Sequence, residues 1–138
     1  MSIVQGQTTS FKVELYEGVH DLTTDTLKIA LYTANADLNQ ATTVYSSQNE
    51  VTGTGYSYGG KVLTGVTVSS SGTVAYVNFS DVIWDPASFT ARCALIYNES
   101  KANKSIAVLD FGSDKTTTTK FTITMPTNSA SNALIRMD

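Results

Sequence analysis

The sequence predicts an all-β protein, an antiparallel, jelly-roll-like β-sandwich with about eight strands and one short N-terminal helix. Two apolar runs, 91–97 and 106–111, flank the polar link 98–105, which is typical of an antiparallel hairpin. Both runs are apolar on both faces, and such strands need a covering layer on each side. Turn residues separate the other, shorter strand-like segments at regular intervals, which also favours a sandwich.

The helix is predicted within residues 8–18. Apolar residues recur there with the spacing i, i+4, i+8, at Phe11, Leu15 and Val19. A threonine could cap the start of the helix, and Gly18 could end it. The same stretch also alternates with period two, so a strand is the alternative.

The remaining elements are predicted from period-two alternation and from turn residues. The predicted strands are residues 26–33, 61–68, 73–79, 82–84, 91–97, 106–111, 120–125 and 133–137. A serine-glycine turn at 69–72 joins two of them. Pro86 and Pro126 each end a strand because proline has no amide hydrogen for a ladder.

Composition and charge exclude several classes of protein. The 138 residues fit a single domain, 1–138. The net charge is −3 and the nine basic residues are scattered, so we expect no nucleic-acid partner. No apolar stretch approaches the roughly 18 residues of a membrane helix, and residues 1–9 lack the apolar core of a secretory signal. We therefore expect a protein made in the cytoplasm, without a membrane partner.

Two segments are candidate contacts with partner molecules. Residues 34–60 form a long polar connection, and loops of this length in compact domains are usually functional. Val44, Tyr45 and Val51 could anchor it to the core. Residues 1–9 form an N-terminal arm that could reach a neighbour.

The tyrosines of the long segment are the candidate contact residues. Tyr45, Tyr56 and Tyr58 could dock on a neighbouring subunit or stack on sugar rings, because loop tyrosines supply rigid, amphipathic contact area. The alternative is that they fold back to cover the edge of the core.

Arg92 is the fourth candidate contact residue. It lies in an otherwise apolar strand, where a charge is costly unless it is paired. It could pair with Asp110 across the hairpin or face another subunit.

No combination of residues indicates catalysis, a cofactor or a metal. The spacing from Gly55 to Lys61 matches a phosphate loop, but Val62 stands where Ser or Thr should hold magnesium. His20 is the only histidine, and beyond a helix end we expect it to be either a favourable cation near the helix dipole or simply a surface residue. Cys93 is the only cysteine and is predicted to be a small buried hydrophobe. We therefore expect a protein that is not an enzyme.

Five segments together resemble small structural proteins of tailed bacteriophages. They read Ser-Phe-Lys-Val-Glu-Leu at 10–15, Asp-Thr-Leu-Lys-Ile-Ala-Leu-Tyr at 25–32, Gly-Thr-Gly-Tyr at 53–56 with glycines at 59 and 60, Thr-Ala-Arg-Cys-Ala-Leu-Ile-Tyr-Asn at 90–98, and Val-Leu-Asp-Phe-Gly at 108–112. Together they span nearly the whole chain. Cys93 stands where a small residue such as glycine is expected.

The resemblance implies a component of the virion. Such a protein would decorate or cement the capsid by bridging major capsid subunits, as a homo-oligomer bound to the major capsid protein or to other virion proteins. The alternative is a tail or fibre component that binds host-surface glycans, with Trp84 as a further contact, or that joins other tail proteins. No catalytic or cofactor-binding residues follow from the resemblance.

Overall fold

The computed structural model describes residues 3–126 and 135–137, and it confirms the predicted all-β, sandwich-like fold with one short helix. The elements in chain order are β1 Gly6–Gln7, α1 Thr9–Tyr16, β2 Leu27–Tyr32, β3 Lys61–Val62, β4 Thr67–Ser71, β5 Val74–Asn78, β6 Val82–Trp84, β7 Phe89–Asn98, β8 Lys104–Thr117, β9 Phe121–Ile123 and β10 Ile135–Met137. A 3₁₀ turn, Glu99–Lys101, joins β7 to β8.

The larger sheet has five antiparallel strands in the order β1-β8-β7-β2-β3. The predicted hairpin of β7 and β8 therefore lies at its centre, as the two-faced apolar runs required. Two smaller antiparallel sheets, β10-β5-β4 and β6-β9, contribute side chains to the core on one face of the larger sheet.

The core has two parts because both faces of the larger sheet are covered. On one face, Leu27, Ile29 and Ile96 pack with side chains from the two smaller sheets and from α1. On the other face, Leu95 and Val108 belong to a second apolar cluster. That cluster also contains Ala36, Leu38 and Tyr45 from the long connection, and Ile3 from the N-terminal arm. The second layer on this face is thus a loop and not a sheet.

The helix forms where the sequence predicts it. Thr8 is the N-cap, and its hydroxyl accepts a 3.3 Å hydrogen bond from the amide of Phe11, which is fully buried. At the other end, Gly18 has φ of +73° and the amide of Val19 donates to the carbonyl of Glu14. This is a Schellman-type end, which favours glycine because of the left-handed backbone.

The strand predicted at 61–68 is wrong as a single element. The structure divides it into β3, an edge of the larger sheet, and β4, which belongs to the β10-β5-β4 sheet. The chain turns between them at Gly65, where φ is +63°. Alternation of apolar residues continues across the turn, so periodicity alone could not show the change of sheet.

Most other boundaries differ by one or two residues, but β8 continues to Thr117, well past the predicted end at residue 111. The turn predicted at 69–72 begins only at Gly72, because β4 continues to Ser71 and pairs there with Val74. The last strand is confirmed over Ile135–Met137, and residues 133 and 134 of the prediction lie outside the described residues. The described part contains ten strands instead of about eight, since β1 and β3 are only two residues long.

Candidate interaction surface

Residues 34–46 of the long segment lie against the second face of the larger sheet, and residues 49–60 follow the edge of β2, where Val51 and Tyr56 pack with the core of the first face. The backbone of the segment pairs with the sheet at several points. Val51 N donates to Leu31 O at 2.9 Å, and Tyr45 N donates to Asn103 O at the same distance. Val51 is fully buried and Tyr45 half-buried, as the anchoring prediction expected, whereas 48% of Val44 is exposed. The segment is therefore fastened along its length and has little freedom to move as a loop.

A buried carboxylate holds the segment together. Only 4% of Glu50 is exposed, and its two oxygens accept three hydrogen bonds. Tyr45 donates to Oε1 at 2.6 Å, Tyr56 donates to Oε2, and the amide of Gly59 donates to Oε2 at 2.9 Å. We call these four residues the Glu50 cluster. Its hydrogen bonds compensate the cost of removing a carboxylate from water.

Two tyrosines of the sheet extend the Glu50 cluster. The Tyr97 hydroxyl donates to Gly59 O at 2.6 Å, and its ring stacks on Tyr45 with centroids 4.6 Å apart. The Tyr32 hydroxyl donates to Ser46 O at 2.6 Å. Both sheet residues thus hold the segment from below, through β2 and β7.

The environment keeps these phenols protonated. Burial, with added repulsion from Glu99 and Glu50, raises the pKa of Tyr97 to about 12. Burial and then the hydrogen bond to Glu50 raise the pKa of Tyr45 and of Tyr56 above the usual range. At neutral pH the phenols act as hydrogen-bond donors that stabilise the segment, and none is poised to act as a base.

The three candidate tyrosines differ in how far they are exposed to solvent. Tyr56 points inward, packs near Trp84 and Phe89 with centroids 6.2 and 5.8 Å away, and accepts a hydrogen bond from the amide of Leu31. Tyr45 is half-buried in the stack described above. Tyr58 is 61% exposed, so it presents most of its surface for contact with another molecule.

The glycines near Tyr58 serve packing and not phosphate binding. A Cβ on Gly60 would lie 1.8 Å from the carbonyl oxygen of Ile29, so only glycine lets the chain approach β2 this closely where β3 begins. Lys61 begins strand β3 and donates from Nζ to Ile83 O at 2.7 Å. A strand follows the motif where a phosphate loop needs a helix.

Arg92 pairs with Asp110 across the hairpin, the first of its two predicted placements. Its Nη1 contacts Asp110 Oδ1 at an irregularity where the register of β7 and β8 shifts. The amide hydrogen bond from Gly112 and the charge of Arg92 hold the pKa of Asp110 below its usual value. Both side chains keep about a quarter of their surface exposed, at 22% and 27%.

His20 lies in a buried polar cluster, and the alternative of a surface position is wrong. Its Nε2 is 2.9 Å from Glu14 Oε1, and its side chain is fully buried. Asn98 Nδ2 lies 3.0 Å from His20 Nδ1 and donates to Asp25 Oδ2 at 2.8 Å. Lys101 pairs with the other oxygen of Asp25 at 3.2 Å. We call these five residues the His20 cluster.

The bonding pattern of the His20 cluster assigns the histidine tautomer. Because an amide nitrogen only donates, His20 Nδ1 is the acceptor and Nε2 carries the hydrogen. The cluster joins α1, the loop after it and the end of β7 across long separations in sequence. Glu14 and Asp25 lie near His20 in the sequence, but no local spacing indicates that Asn98 and Lys101 complete the cluster.

The described residues give little support for a reactive cysteine, a metal site or a membrane-spanning helix. Cys93 is fully buried, as predicted, and burial raises its pKa to about 12, which disfavours the reactive thiolate. Within residues 3–126 and 135–137, no three His, Cys, Asp or Glu side chains come together as metal ligands. No helix in the described ranges has the length and apolar character needed to cross a membrane.

Comparisons of the chain with protein-family models, with curated proteins and with solved structures each found no match.

Proposed function

We propose that the chain is a structural protein of a tailed-phage virion, which decorates the capsid and stabilises the head by bridging major capsid subunits. The observation that carries the proposal is the long segment, which the Glu50 cluster holds together and which Tyr32 and Tyr97 bond to the sheet, while Tyr58 faces solvent. A preorganised surface of this kind binds without a large entropic cost of ordering. The phage-like sequence pattern supplies the choice of partner.

Glu50 and His20 are the polar groups that could have served catalysis, and their hydrogen bonds favour a structural role instead. The Glu50 carboxylate accepts bonds from two phenols and an amide, and both ring nitrogens of His20 have hydrogen-bond partners. Each group therefore contributes to holding elements together, and the proposed mechanism is passive. Many weak contacts on one shell would act together through their high effective concentration.

Co-sedimentation with preformed capsids of the phage tests the proposal. We expect the wild-type chain to pellet with capsids, and Tyr58→Ala to pellet less because it removes an exposed aromatic side chain of the segment. Gln48→Ala is the matched control, since it is an exposed residue of the same segment. If wild-type chain stays in the supernatant at all concentrations, the decoration role is wrong.

A tail or fibre component that binds host-surface glycans, or that joins other tail proteins, is the second candidate. The exposed ring of Tyr58 favours glycan binding, because an aromatic face can stack on a sugar. Tyr56 is not suited to this role, since its ring is enclosed near Trp84 and Phe89. Binding to a glycan array that is lost in Tyr58→Ala and kept in Gln48→Ala would support the glycan-binding form.

A further inference from the structure

We propose that the outer side of α1 is a dimer interface, which pairs in parallel with the same helix of a second copy of this chain. The inference rests on the proposed function only in that this function expects a homo-oligomer. It adds the surface through which two copies would meet. The helix is apolar on two opposite sides. Phe11 is fully buried against the body of the protein, whereas Tyr16 is 88% and Val13 51% exposed.

The exposed pair lies where a surface helix is normally polar. Val13 and Tyr16 are three residues apart and therefore adjacent on one face. Residues on the opposite face, Phe11 and Leu15, belong to the core or pack on it. The core explains the inner apolar side, but none of the described residues covers the outer pair.

Charged residues on either side of Val13 and Tyr16 indicate which partner this face would bind. Lys12 and Glu17 are both exposed, and neither forms an ion pair within the described part of the chain. They flank Val13 and Tyr16 as positions g and e flank a and d in a heptad. The two charges are five residues apart, so they do not meet on their own helix.

This pattern is self-complementary in a parallel pair. Around a two-fold axis along the helices, Val13 and Tyr16 pack against the same residues of the other copy. Lys12 then faces the partner's Glu17, and the reverse pair forms by symmetry. The occupant that fits both the apolar pair and the two charges is therefore a second copy of this chain.

The contact is small. A helix of eight residues presents about two turns, so this face alone buries less than the roughly 1,200 Å² of a standard interface. We therefore expect weak, concentration-dependent dimers in solution. Copies held close together in an assembly would pair more completely.

Sedimentation equilibrium over a range of concentrations tests the interface. We expect the dimer fraction of the wild-type chain to rise with concentration, and Tyr16→Ala to raise the dissociation constant by about 10-fold or more. Val62→Ala is the matched control, because it removes an exposed apolar side chain outside α1. A strict monomer up to about 1 mM, or a dimer that Tyr16→Ala leaves unchanged, would overturn the inference.

A charge-exchange experiment tests the parallel geometry. Lys12→Glu and Glu17→Lys should each weaken the homodimer, because each places like charges across the interface. Mixed together, the two variants should form a heterodimer in which both charged pairs are again opposite in sign. Failure of the mixture to associate would overturn the parallel arrangement. Unchanged urea midpoints of the single variants would show that both are folded.

Dimerisation and capsid binding can fail separately. The first is measured on the purified chain alone, and the second needs capsids. A dimer that Tyr16→Ala abolishes, combined with no capsid binding, would support the interface and refute the decoration role.

Discussion

Glu50 Oε1 accepts a 2.6 Å hydrogen bond from the hydroxyl of Tyr45, and this contact closes a short turn of the long segment, since the two residues are five positions apart. The other oxygen of Glu50 binds Tyr56 and the amide of Gly59. One buried carboxylate thus organises a segment that has no regular strand or helix of its own.

Replacement of Glu50 by alanine should therefore be costly. The change leaves two phenols and one amide without their acceptor, and each unsatisfied buried group costs about 1–3 kcal/mol. We expect Glu50→Ala to lower the free energy of unfolding by about 3 kcal/mol or more, measured by urea titration. Gln48→Ala, the exposed control, should change it by less than about 0.5 kcal/mol. An equally small effect at Glu50 would show that the Glu50 cluster does not hold the segment.

The second apolar cluster gives a prediction about the sandwich itself. Leu95 is fully buried beneath the long segment, whereas Leu109 belongs to the core on the opposite face. We expect alanine at either position to cost about 2–5 kcal/mol. Alanine at the half-exposed Val62 of β3 should cost much less. If Leu95→Ala lowered the free energy of unfolding only slightly while Leu109→Ala lowered it strongly, the long segment would not exclude water from its face of the sheet.

Because of Asp25, the free energy of unfolding should decrease at acidic pH. Burial of its side chain, 7% exposed, disfavours the charged form. Hydrogen bonds from Asn98, from the backbone of Asp21 and from Lys101 outweigh this effect, so the pKa of Asp25 lies below its ordinary value of 3.8.

The sign of the pH effect follows from that depression. The charged Asp25 stabilises the fold above pH 3.8, and this contribution is lost as the pH falls through the lower pKa of the folded state. Asp25→Asn should lose stability at pH 7 and show a shallower decline of the urea midpoint between pH 5 and pH 2. Asp114→Asn, at an exposed carboxyl, is the control. A decline as steep in Asp25→Asn as in the wild type would contradict the assignment.

Gly18 and Gly60 allow the cost of backbone strain to be compared with the cost of a steric clash. Gly18 and Gly60 have similar φ values, +73° and +77°, but nothing lies within 4 Å of a Cβ at Gly18. Gly18→Ala should cost about 1–2 kcal/mol, the penalty of the left-handed conformation. Gly60→Ala should cost clearly more, because its Cβ would meet the carbonyl of Ile29. Equal thermal midpoints for the two variants would refute the close approach of Gly60 to β2.

Much of the fold was predictable because the signals are local. The hairpin of β7 and β8, the strand β2 and the cap and end of α1 depend on alternation, on Thr8 and on Gly18, which short-range rules describe. The site was less predictable. Tyr56 and Tyr58 each lie between a glycine and a serine in the sequence, yet Tyr56 is enclosed and Tyr58 is exposed.

The sequence by itself determined the all-β class, the central hairpin and the buried Cys93, because the period of apolar residues dictates which strands need cover on both faces. Only the tertiary structure decided what provides that cover, since a loop and a sheet can bury the same face. It likewise decided the partners of Glu50, His20 and Arg92. His20 meets Asn98 from a distant element, and Glu50 meets residues of its own irregular segment, whose conformation no short-range pattern describes. For Arg92 the structure shows the pairing with Asp110, one of the two placements that the sequence left open.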